Sequence, residues 1–183
     1  MSHTEENEKP RLGIEQTDDT FESWIHRSSI SKATQEELKK ANFLIIPSEN
    51  LRDYPTPVFA RETERLLRFM KDNAKGGLVA NVCSDDETYE EYQHNDSMLT
   101  LGGILLKEAA VAVGAELLKE YINGRIQENR DKDPIVEVSL FVEENGRSTR
   151  FTYKGPASEL ENTLYPKLLR PVTTNQNSID YKV

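Results

Sequence analysis

Cysteine is nearly absent from the 183-residue chain: Cys83 stands alone, and three histidines accompany it. One thiol makes no internal disulfide, so neither a disulfide scaffold nor a cysteine-rich zinc module can be built here. Also missing are a glycine-rich phosphate loop, an HExxH, a CxxC and a GxSxG elbow, which leaves no catalytic constellation and no cofactor to name. The opening MSHTEENEKP has no basic, apolar leader, and a cytoplasmic location is the resulting expectation. The most apolar stretch, Met98 to Ile126, is broken by Lys107, Glu108, Glu116, Lys119 and Glu120. It therefore lacks the run of about 20 apolar residues that a membrane span requires. Basic residues are scarce, 23 against 32 acidic, for a net charge of −9. Nucleic acid is not an expected partner on that balance, since Lys and Arg neutralising phosphates supply most of such affinity.

The negative charge is unevenly placed. Residues 1–20 carry six acidic and two basic side chains, and Ser84 to Asp96 carry six acidic and no basic ones. The remainder is close to neutral, so the chain reads as a neutral domain with two acidic appendages. With few large apolar side chains, residues 1–20 are expected to be a disordered acidic tail. Phe21, Trp24 and Ile25 follow at helical spacing, making 21–30 a short docking segment, either for the core or, through Trp24, for a partner.

A single α+β domain is expected over residues 31–169. Thr34-Gln35-Glu36-Glu37 fits a capping box that opens a short helix. Phe43-Leu44-Ile45-Ile46 reads as a strand buried on both faces. Thr56-Pro57 fits a helix start, and Gly76-Gly77 its end. Leu78 to Cys83 is the next strand, and strand, helix, strand over about 40 residues is a βαβ unit with parallel strands. Small residues and apolar faces mark Met98 to Ile126 as one long buried helix. A hairpin then turns at Asn145-Gly146, where a two-residue type I′ loop pairs positions whose numbers sum to 291. The βαβ unit, the long helix and the hairpin are expected to make a mixed four-stranded sheet with helices packed on it. A last helix, begun at Gly155-Pro156, carries Leu160 and Leu164 and stops before Pro166, and 170–183 read as a polar C-terminal tail.

Ligands of open α/β sheets bind beyond the carboxyl ends of the strands. The βαβ reading brings Ser48, Glu49, Asn50, Arg52 and Asp53 to that end from one loop, and Cys83, Ser84, Asp85 and Asp86 from the other. Their oxygens suit a small ligand or a divalent cation; the plainer reading is that Ser84, Asp85 and Asp86 cap the next helix. Cys83 and His94 are conceivable as a thiolate pair, but six nearby carboxylates would raise the thiol pKa, and a buried structural cysteine is the stronger expectation. Tyr89, Glu90, Glu91 and Tyr92 form an acidic, aromatic segment that either packs down through its tyrosines or meets a basic partner surface. The 98–126 helix offers more apolar surface than a four-stranded sheet covers, which raises a homo-oligomer interface there.

The order strand, helix, strand, acidic stretch, small-residue-rich apolar helix, and then the hairpin VEVSLFVEENGRSTRFTYKG resembles the small effector-associated constant component proteins of bacterial conflict systems, over about Phe43 to Gly155. The resemblance implies a non-enzymatic adaptor that binds a protein partner in a defence or signalling complex. It carries no site residue. The alternative from the residues alone is an enzyme or ligand-binding domain at the strand-end crevice.

Overall fold

The computed structural model describes residues 9–92, 98–128 and 133–169. In chain order the elements begin with β1 (Arg11–Thr17), α1 (Phe21–Ile25), α2 (Lys32–Leu38), β2 (Phe43–Ile46) and β3 (Phe59–Ala60). They continue with α3 (Thr63–Asp72), β4 (Ala80–Val82), β5 (Glu91–Tyr92), β6 (Met98–Lys107) and α4 (Val111–Glu128). The hairpin β7 (Ile135–Glu144) and β8 (Arg147–Pro156) and two single turns, α5 (Leu160–Thr163) and α6 (Tyr165–Leu168), complete the described elements. The fold is mixed α+β, built on a six-stranded mixed sheet in the order β1-β8-β7-β6-β2-β4, with β3 and β5 forming a separate parallel pair.

The expected βαβ unit is present, with β2 and β4 adjacent and parallel across α3. A second crossover, β6-α4-β7, is also parallel, and β6 runs antiparallel to β2. The two units therefore run in opposite directions along the sheet with their strands reversed, so a common handedness puts both helices on one face. Leu66 and Met70 of α3 and Leu117, Leu118, Tyr121 and Ile122 of α4 share one core with Phe43, Ile45, Ile104, Leu106, Val138 and Leu140. On the opposite face Phe21, Trp24, Ile25, Ile30 and Leu38 bury Leu44, Ile46, Leu105, Phe141 and Cys83.

The largest correction concerns Met98 to Ile126, which is no single helix. Its first ten residues are β6, in the middle of the sheet, and only Val111–Glu128 is helical. A continuous apolar run fits a strand buried on both faces as well as it fits a buried helix, and periodicity cannot separate the two. Gly102, at φ +73°, sits where the register against β7 shifts between Thr100 and Gly102. Glycine takes this bulge conformation without strain. The sheet accordingly has six strands instead of four, and the first half of the supposed oligomer helix is its centre. The other half buries its apolar residues in the core.

Residues 11–17, expected within a disordered tail, are β1, paired antiparallel with β8 from Arg11 opposite Lys154 to Thr17 opposite Ser148. An edge strand with a largely exposed surface carries little apolar pattern, and its order comes from a partner far along the chain. Residues 1–8, 93–97 and 170–183, and with them part of the N-terminal tail, His94 and the C-terminal tail, lie outside the described residues. Ser31, not Thr34, is the N-cap of α2, with the Thr34 N–H donating to its side chain. The expected helix start at Thr56-Pro57 precedes β3, and α3 begins at Thr63. Within Ser84 to Asp96 the expected short helix is a 3₁₀ turn at Asp86–Thr88 followed by β5. The helix expected from Gly155-Pro156 starts later, because β8 runs to Pro156. Pro166 stands in the first turn of α6, where its missing N–H leaves no bond unmade.

The hairpin matches its expectation residue by residue, from Ile135 opposite Pro156 to Glu144 opposite Arg147. Asn145 at φ 52° and Gly146 at φ 79° supply the two positive φ angles of a type I′ turn. Two other glycines give opposing predictions. A Cβ on Gly103 would lie 2.7 Å from Ile46 Cγ1, whereas one on Gly124 in α4 would meet nothing within 4 Å. Gly103→Ala is expected to destabilise by about 1–3 kcal/mol. Gly124→Ala is expected to stabilise by roughly 0.5–1 kcal/mol. Urea unfolding of both variants checks the contrast.

Candidate functional site

Helix α1 is held by its own short sequence. Thr20 and Ser23 form a reciprocal capping box, and the Phe21 N–H donates to Glu143 Oε2 at 3.1 Å. Trp24 Nε1 donates to Asp19 Oδ1 at 3.1 Å, and the Thr17 hydroxyl donates to Asp19 Oδ2 at 2.7 Å. Trp24 is 5% exposed, and the Arg27 guanidinium lies 3.6 Å above its ring centroid. Arg27 in turn donates to Glu49 at the carboxyl end of β2. Trp24 thus belongs to the core as a docking residue, and its stacked arginine forms one wall of a crevice.

That crevice encloses about 830 Å³ beyond the carboxyl ends of β2 and β4. Ile30, Pro57, Phe59 and Cys83 contribute its apolar lining, and Arg27, Glu49, Glu87 and Glu90 its charged lining. Tyr89 stacks on Phe59 at a centroid distance of 4.9 Å, and its hydroxyl donates to Glu91 Oε1 at 2.6 Å. Burial first, and then Glu91, push the Tyr89 phenol well above its ordinary pKa. Tyr92 tilts against Tyr54 at 6.2 Å. Both tyrosines therefore act as anchors for the acidic segment.

Of the residues expected at the strand ends, Glu49 and Ser84 line this crevice together with Tyr89 and Glu90. Ser48 faces a second cavity of about 340 Å³ beside Trp24, Gly103 and Thr100. Its backbone pairs with Val58, Ser48 N–H to Val58 O at 2.8 Å and the reverse bond at 3.1 Å, which closes the loop between them. Asn50, at φ 59°, and Arg52 stay exposed on that loop. Asp86 lines a third cavity near Thr63 and Glu64, together with Asp85.

Asp85 is occupied elsewhere. Its carboxylate accepts from the Ser31 N–H and the Ser31 hydroxyl, both at 2.9 Å, at the start of α2. Hydrogen bonds from Thr34 and then Ser31 hold its carboxyl below the usual carboxylate range. The expected cap of the next helix is not made by Asp85, which has no side-chain cap bond to the 3₁₀ turn after it; its carboxylate instead holds Ser31, the N-cap of α2, 54 residues upstream. With Glu49 directed to Arg27 and Asp85 to Ser31, the carboxylates do not converge, and no cluster fit for a metal ion occurs among the described residues.

Cys83 is buried, with its thiol donating to the Trp24 carbonyl at 3.6 Å. Burial pushes the thiol up to about 12, with Arg27 opposing. The direction matches the expectation, but the cause is desolvation and not the carboxylates. Arg27, Ile30 and Phe59 were not singled out from the sequence.

Comparison with protein-family models, with curated proteins and with solved structures finds no match to this chain. Among the described residues no helix is long and apolar enough to cross a membrane.

The state of Cys83 has two measurable consequences. At neutral pH the native thiol is expected to resist iodoacetamide and to react fully once unfolded in guanidinium. The alkaline pH dependence has Cys83 and Tyr153 among its sources, both raised by burial to about 12 from ordinary values of 9.0 and 10.0, and burial raises Tyr89, Tyr92, Tyr121 and Tyr165 in the same direction. The unfolded chain releases these protons first, so the stabilisation is complete below pH 9 and is lost as pH rises toward 12. Thermal unfolding measured across that window is expected to show a falling Tm, with part of the fall removed in Cys83→Ala.

Proposed function

We propose that the protein is a non-enzymatic interaction module whose crevice at the ends of β2 and β4 receives a basic segment of a protein partner. One observation carries this reading: an apolar lining of Ile30, Pro57, Phe59 and Cys83 stands beside the carboxylates of Glu87 and Glu90, while Glu49 is paired with Arg27. An apolar floor rewards an aliphatic or aromatic side chain, while the acidic border favours lysine or arginine beside it. Cys83, the only thiol of the chain, is buried, and burial raises its pKa, which disfavours the thiolate that a nucleophile needs.

A place in a bacterial defence or signalling complex belongs to the same proposal. Its support is the resemblance in element order, reduced now that half of the apolar helix counted in it is β6. A cytoplasmic site of action is likewise part of the proposal. A second reading rests on size, because about 830 Å³ lies within the range of small-molecule pockets. In that reading a small organic cation occupies the crevice.

Trp24 lines the crevice and is the only tryptophan, so its emission reports occupancy. A peptide of alternating lysine and leucine is expected to shift that emission in a saturable, salt-sensitive way, and its glutamate counterpart is expected to leave it unchanged. Glu87→Lys with Glu90→Lys is expected to weaken binding at least tenfold with an unchanged circular dichroism spectrum. Equal response to both peptides, or a double variant that binds as the parent does, would sink the proposal. A thermal shift with small amines and none with the peptides would favour the second reading, since a ligand at 100 times its Kd stabilises by about 2.7 kcal/mol.

A further inference from the structure

The two edges of the six-stranded sheet differ. At one edge β4 is three residues long, and the Val82 N–H is taken by Asn81 Oδ1 at 2.9 Å. At the other, β1 is seven residues long with no strand on its outer side among the described residues. Ile14, in its middle, is 51% exposed. A long edge strand with an exposed apolar residue invites pairing with another strand.

The direction of the free backbone groups follows from the hairpin. Hydrogen-bonding direction alternates along a strand. The Ala157 N–H donates to the Pro134 carbonyl at 2.9 Å, in line with the 291 register, so the odd-numbered residues of β8 point to β7. Its even-numbered residues then point to β1. Arg150 lies opposite Glu15 and Thr152 opposite Gly13, so Gly13 and Glu15 are the inward-bonded positions of β1. Leu12, Ile14 and Gln16 therefore direct their N–H and C=O groups outward.

We infer that β1 pairs antiparallel with β1 of a second copy of this chain, across a two-fold axis at Gly13, to make a continuous twelve-stranded sheet. Charge selects the register. Outward groups must meet outward groups, which leaves even sums of paired residue numbers. A sum of 22 sets Arg11 against Arg11, and a sum of 30 sets Glu15 against Glu15. Within the strand itself, Arg11–Thr17, sums of 24 and 28 pair no charges directly; a sum of 24 brings Glu15 opposite Lys9 only beyond the end of β1. A sum of 26 places Arg11 opposite Glu15 twice, in non-hydrogen-bonded positions where side chains lie closest. The same register sets Leu12 against Ile14 twice and bonds their backbones in both directions. Glu15 already pairs with Arg150 at 3.1 Å on that face, and the incoming Arg11, which stands opposite Lys154 of its own chain, gives Glu15 a second cation. Each half of the seam is the copy of the other, as a two-fold interface requires.

Sedimentation of the full chain over a concentration series is expected to show a dimer. Arg11→Glu and Glu15→Arg are each expected to shift it to monomer, because each sets like charges opposite. Mixing the two variants is expected to restore a mixed dimer, since every cross-pair is then opposite in charge. Glu15→Arg also removes the exposed pair with Arg150, and circular dichroism of each variant confirms the fold. Gly13→Cys is expected to form an intermolecular disulfide on oxidation and Leu12→Cys is not, because only residue 13 faces its own copy. A monomeric parent at every concentration, single variants that dimerise like the parent, a mixture that stays monomeric, or a Gly13→Cys thiol that remains reduced would each overturn the inference.

Discussion

Burial of β6 on both faces is the constraint from which the rest of this structure follows. A strand with Leu99, Leu101, Ile104, Leu105 and Leu106 all at or below 6% exposure needs apolar cover above and below. One face obtains it from α3 and α4, which the two crossovers place together. The other face obtains it from α1 and α2, which reach across Leu105 and Phe141 only because residues 20–41 fold back over the sheet. Gly103 lets β2 approach, since Ile46 occupies the space a side chain would need. The same folding back leaves Trp24 and Arg27 beside the carboxyl ends of β2 and β4, and the crevice exists because that cover stops short of them.

Elements with a local cause could be read from the residues. The hairpin was legible to the register, because turn chemistry at Asn145-Gly146 and side-chain alternation each fix the same pairing. The β2-α3-β4 unit was legible for a similar reason, with two short apolar runs and a helix between them. What could not be read depended on distant partners. Nothing in MLTLGGILLK distinguishes a strand from a helix until β2 and β7 lie beside it. Nothing in RLGIEQT announces a strand until β8 supplies its ladder.

The candidate site divides along the same line. Topology alone brought Glu49, Ser84 and Asp85 toward one end of the sheet, and that placement holds. Their individual directions were not legible, because Arg27 and Ser31, which turn Glu49 and Asp85 aside, belong to the segment before β2. A sheet-end site is thus set by topology in its position and by the covering helices in its chemistry. Trp24 shows the same dependence, since its burial needs Asp19 at the end of β1 to accept its indole proton.

Pairing of β1 with β8 joins residues 11–17 to residues 148–154 and has a consequence for the order of assembly. Among the described strands the first in sequence has its intramolecular ladder on the last. Its bonds to β8 cannot form until residues 148–154 have been synthesised, so of the described strands β1 joins the sheet late although it comes first in sequence. Contacts of such long separation slow folding, because loop closure comes before any reward. During that interval RLGIEQT is an unpaired β segment, and its arginine and glutamate are the side chains that limit which other strands can take the place of β8.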